Sequence, residues 1–99
     1  MLDLSNIYNI YELKWFDGEI LHLPKPTEKF LRDVAALDKN EELTEIEQLE
    51  EVKKITWDLI RRNTDGRTFT DKEMEECDAI VCSMIMRDYM EEVEKRLGE

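Results

Sequence analysis

The sequence predicts an α+β fold, mainly α: an N-terminal β-hairpin followed by a three-helix bundle, in the order ββααα. Three observations carry this. Apolar residues alternate along 7–23 around an Asp-Gly pair. After residue 27 they recur at steps of three and four. Thr-x-x-Glu capping boxes stand before two of the helical stretches. At 99 residues the chain has the length of a single domain, 1–99, and its 41% apolar residues can build a core.

In the hairpin, Tyr11, Leu13 and Trp15 alternate with Glu12 and Lys14. Asp17-Gly18 predicts a two-residue turn, because Gly accepts positive φ. Leu21 and Leu23 then fall on one side, and Ile20 and His22 on the other. Pro24 and Pro26 end the strand, since neither donates to a ladder. A first helix is predicted over 27–38, with Phe30, Leu31, Val34 and Leu37 at helical spacing. DKNEEL follows as a loop.

Thr44 and Glu47 form the first capping box and open a helix over 45–62. Ile46, Leu49, Val52, Ile55, Leu59 and Ile60 mark its apolar stripe. Asn63-Thr64-Asp65-Gly66 is a stop signal. Thr70 and Glu73 form the second box, with Phe69 and Met74 placed as a hydrophobic staple, and a third helix is predicted over 71–97.

Two of these helices carry more than one stripe. In the second, the apolar arc from Ile55 round to Trp57 covers about half the circumference at ~100° per residue. In the third, AIVCSMIM (79–86) has no charge in eight positions. Either this segment is the central helix of the bundle or part of it meets another subunit. Little interior is available in a chain of this size, which keeps the second option open.

Charge excludes several functions. The 14 Lys+Arg against 25 Asp+Glu give −11. That argues against binding a nucleic-acid backbone or an anionic membrane, both of which need basic patches. No apolar run approaches the ~20 residues of a membrane span. MLDLSNIYNIYEL has no basic region leading into an apolar stretch, so the expected location is cytoplasmic.

The chemistry-bearing residues are few. Cys77 and Cys82, five apart on one predicted helix, would sit roughly 140° apart around its axis and read as buried thiols. His22 has no partner pattern and reads as a strand residue. Around Gly66, a calcium loop would put Arg61 and Lys72 at its first and last ligand positions, which disqualifies it. The acids of EELTEIEQLEE and DKEMEECD cluster in first helical turns, where they complement the helix dipole. No phosphate loop, zinc motif or nucleophile elbow is present. The reading is a non-enzymatic protein without cofactor or metal. An acidic mimic of DNA, an inhibitor of a DNA-binding protein, or an adaptor domain of another complex stand as alternatives.

Three segments, IYELKWFDGEILHLPKPTEKFLRDV, LIRRNTDGRTFTDKEME and MIMRDYMEEVEKRL, together with the layout, resemble the tail assembly chaperones of long-tailed bacteriophages of Gram-positive hosts. The resemblance implies a small acidic protein of the host cytoplasm, absent from the finished virion. It implies binding to the tape-measure protein, recruitment of the major tail protein, and self-association along the tape. It also implies that the chain is the short form of a pair generated by frameshifting. Trp15 and Phe16 on the hairpin, Trp57 at the edge of the second helix, and Met84 and Met86 in the third are the candidate contact residues. Met suits repeated, non-identical clients because its side chain adapts.

Overall fold

The computed structural model describes residues 9–97. They form β1 (Tyr11–Lys14), β2 (Ile20–Leu23), α1 (Glu28–Lys39), α2 (Glu45–Ile60), α3 (Asp71–Glu76) and α4 (Ala79–Leu97). Ile7 and Tyr8, which the sequence places in the hairpin, lie outside the described residues.

The two strands pair antiparallel, with Tyr11 opposite Leu23 and Leu13 opposite Leu21. The predicted alternation holds: Tyr11, Trp15, Leu21 and Leu23 are buried, while Glu12, Lys14 and Phe16 are exposed. The turn differs from the two-residue form. Trp15 N–H donates to the Glu19 carbonyl at 2.7 Å, and Gly18 N–H donates to the Trp15 carbonyl at 2.9 Å. Phe16–Gly18 is therefore a three-residue loop, with Gly18 at φ +89° in the bulge position. Asp17 Oδ1 fixes it by accepting the Glu19 N–H at 2.9 Å. A Cβ at Gly18 would touch nothing within 4 Å, so its cost is conformational alone. Gly18→Ala is expected to lower stability by ~1 kcal/mol, read as a shift of the urea midpoint.

Thr27 caps α1 by accepting the Phe30 N–H at 3.1 Å. Both capping boxes form. Thr44 accepts from Glu47 N–H and Thr70 from Glu73 N–H, while each Glu carboxylate accepts the Thr backbone N–H in return.

The three-helix prediction is corrected: the stretch 71–97 is two helices. Cys77 ends α3 with φ −88° and ψ 71°, its N–H donating to the Glu73 carbonyl. Asp78 starts α4, its Oδ1 accepting the N–H of Ile80 at 3.1 Å and of Val81 at 3.0 Å. Asp78 thus acts as a cap in mid-stretch, giving the backbone an alternative to continued helix.

The core has two connected parts. One gathers Tyr11, Leu23, Phe30, Ile55, Leu59, Met86, Tyr89 and Val93. Its polar tips are satisfied: Tyr11 OH donates to Asp88 and Tyr89 OH to the Pro24 carbonyl, each at 2.6 Å. Burial pushes both phenols well above their ordinary pKa, Tyr11 with added help from Asp88. The other part gathers Trp15, Leu21, Trp57, Ile60, Cys77, Cys82 and Ile85, with Phe69 and Met74 packed against it.

Arg67 ties the hairpin turn to α3. Its guanidinium pairs with Asp17, Glu19 and Glu73 at 2.8–2.9 Å and lies over the Trp15 and Phe69 rings. The hydrogen bond from Arg67 is the main cause holding the Asp17 carboxyl below its usual range. Glu73 is lowered chiefly by the Thr70 N–H, then by the Trp15 indole and Arg67. Asp65 is lowered by the His22 N–H and ring. These carboxylates titrate lower folded than unfolded, so their contribution is present above about pH 4 and is lost as pH falls through the folded values. The acid limb of a pH–stability curve is expected below about pH 4. Arg67→Met should flatten it in a pH series of thermal melts.

Candidate protein-binding surface

The apolar stripe of α2 is longer than the core beneath it. Its second half packs inward: Ile55, Trp57, Leu59 and Ile60 are buried. Its first half has no such cover, and Ile46 is 70% exposed. The charge-free segment of α4 divides in the same way. Cys82, Ile85 and Met86 face the core, while Ile80 and Met84 are 65% and 67% exposed. These last two are four residues apart, so they share one helix face. Single exposed apolar residues are ordinary, but paired ones on two neighbouring helices form a surface.

A groove of about 410 Å³ lies between α1, α2 and α4. It brings together Leu37 of α1, Leu49 and Val52 of α2, and Ser83 of α4, with Asp38 and Glu45 also lining it. Ile80 stands three residues before Ser83 on α4. The molecule measures 44 × 32 × 17 Å. The surroundings are acidic: Glu41, Glu42, Glu45, Glu47, Glu50 and Glu51 flank Ile46 and Leu49 in sequence, and all are exposed. An occupant of this face would be apolar at its centre and would not itself be acidic.

The sequence-derived candidates separate. Phe16, at 56% exposure on the hairpin loop, and Met84 lie on the surface. Trp15, Trp57 and Met86 do not: all three are buried in the core. Trp15 stacks edge-on with Trp57 and tilts against Phe69, and its indole N–H donates to Glu73 at 2.7 Å. The Trp57 indole N–H donates to the Cys77 carbonyl at 3.1 Å. Met86 and Met84 are two positions apart, about 200° around the helix, so one faces inward when the other faces out. Ile46 and Leu49 are surface residues that sequence reasoning placed on the apolar stripe of the second helix, and Ile80 lies in the 79–86 segment whose burial it left open. The length of the α2 stripe beyond its neighbours was the available signal.

His22 is bound up structurally. Its ring meets Asp65 at 2.9 Å, and its backbone N–H donates to the same carboxylate at 2.7 Å. A second groove, between α1 and α2, is lined by Phe30 and Ile55 together with Lys29, Asp33, Asp58 and Arg62. Its mixed charges are those of a solvated cleft. No group of three or more potential metal-binding side chains occurs among the described residues, and no helix among them is long and apolar enough to cross a membrane. In comparisons with known proteins, the chain matches no family model, no curated protein and no solved structure.

Proposed function

We propose that this chain is a non-enzymatic assembly chaperone, and that it acts in the cytoplasm on phage tail proteins, binding the tape-measure protein and recruiting the major tail protein. The observation that carries the binding role is the open apolar face of α2 and α4, set in an acidic surface. The particular clients follow from the resemblance of the three sequence segments. Clients with long amphipathic helices suit a shallow groove lined by Leu37, Leu49 and Val52, with Ile80 and Met84 exposed on α4. The high negative charge keeps such a holdase soluble while its apolar face is free.

The competing DNA-mimic reading receives less support. Several acids are engaged within the fold: Asp17, Glu19 and Glu73 on Arg67, Asp65 on His22, and Glu47 on the Thr44 backbone.

Self-association has a diagnostic salt response. Two copies at −11 each repel, and salt screens that repulsion. Light scattering is expected to show a mass that rises with protein concentration and with salt. Ile80→Glu combined with Met84→Glu should abolish the rise without moving the urea midpoint, because both side chains are exposed. A monomer at every concentration and salt level would contradict the self-association half of the proposal.

A further inference from the structure

We propose that Cys77 and Cys82 form a dithiol site that closes to an intramolecular disulfide on reaction with a low-molecular-weight disulfide such as glutathione disulfide. On a continuous helix the two side chains would diverge. The break at Cys77–Asp78 turns the chain so that their Sγ atoms lie 3.8 Å apart. A disulfide needs about 2.05 Å, so the sulfurs have to approach by less than 2 Å across a non-helical junction. The Cys82 thiol also lies 3.6 Å from the Cys77 carbonyl, which holds it toward its partner. Both thiols are free and fully buried.

Access comes through α3. This helix has six residues, none of them fully buried. Short elements with few buried contacts open locally at the lowest free energy. Opening α3 uncovers Cys77 first, because Cys77 is the C-cap of α3 and Cys82 sits in the first turn of the longer α4. The contact with Cys82 also lowers the Cys77 thiol pKa, while the same contact and burial raise that of Cys82.

In the first step the Cys77 thiolate attacks one sulfur of the small disulfide. A Cys77 mixed disulfide forms, and one small thiolate leaves. In the second step the Cys82 thiolate attacks the Cys77 sulfur and expels the second small thiolate. Two protein thiols and one small disulfide become one protein disulfide and two small thiols. The two protons lost by the protein end on those small thiols.

The test uses the full native chain, incubated with glutathione disulfide at neutral pH and then alkylated. Intact mass is expected to show a monomer lighter by two hydrogens, with peptide mapping placing the bridge at 77–82 and dithiothreitol reversing it. Cys82→Ser should stop at the first step, keeping one glutathione on Cys77. Thr70→Ala loosens the start of α3 and should speed bridging about fivefold, the population change that the loss of one cap produces. Thiols that stay free in the native chain and bridge only in urea would overturn the proposal. So would glutathione on both cysteines without a bridge, or dimers linked between chains.

Discussion

Trp57→Ala is expected to be the most damaging single substitution in the chain, costing about 3–5 kcal/mol. Trp57 is 4% exposed. It meets the rings of Trp15 and Phe69 at 5.9 Å and 5.2 Å, and Arg61 lies 5.8 Å over its face. Truncation removes all of these contacts and leaves the Cys77 carbonyl without the indole donor. Domains of this size have a total stability of about 5–15 kcal/mol, so the variant would lose a large part of it. Urea unfolding followed by circular dichroism measures the loss. Trp57→Phe separates the terms: it keeps an aromatic ring and loses the hydrogen bond, for about 1–2 kcal/mol. An unchanged midpoint in Trp57→Ala would place the ring outside the core and restore it as a surface contact.

Asn63→Ala is expected to follow, at about 2–4 kcal/mol, because it leaves the N–H and carbonyl of Arg67 unpaired and the Ile60 carbonyl with only the residue-63 backbone N–H. Asn63 is buried. Its Nδ2 donates to the carbonyls of Ile60 and Arg67, each at 3.0 Å, and its Oδ1 accepts the Arg67 N–H at 2.9 Å. One side chain therefore closes the end of α2 and holds the loop that carries Arg67. Losing it should also disturb the distant hairpin turn, which Arg67 grips through Asp17 and Glu19. Asn63→Asp makes the point chemically. It keeps an acceptor for Arg67 N–H but loses both donors and buries a charge, so it should be no better tolerated than Ala. Thermal melts of both variants beside Thr64→Ala, an exposed neighbour, measure the difference.

These residues show which parts of the structure were legible in the sequence. Caps and strand parity were legible because they are local. Thr27, Thr44 and Thr70 each bond to a backbone N–H three residues on, and the alternation through Leu21 and Leu23 needs only a period of two. The break at Cys77–Asp78 was not legible. Asp78 follows EEC and precedes an apolar run, so it reads as one more acid on a helix until the chain is seen to stop there. Asn63 reads as a helix stop, and its grip on Arg67 emerges only when the loop folds back. The burial of Trp15 and Trp57 depends on strand and helices meeting across more than forty residues, which no local period encodes. Of the candidate surface, Phe16 follows from alternation with Trp15. The outward turn of Ile46 and Leu49 follows from tertiary arrangement, since periodicity alone gives every position of a stripe to the core.

The most direct measurement of the central claim is co-expression with the tape-measure protein of the same genome, followed by the fraction of that protein recovered soluble. The account predicts a soluble complex with the wild-type chain. It predicts a return of the client to the pellet with Ile80→Glu/Met84→Glu, although that variant remains folded and soluble itself. A tape-measure protein equally insoluble with and without the wild-type chain would contradict the account.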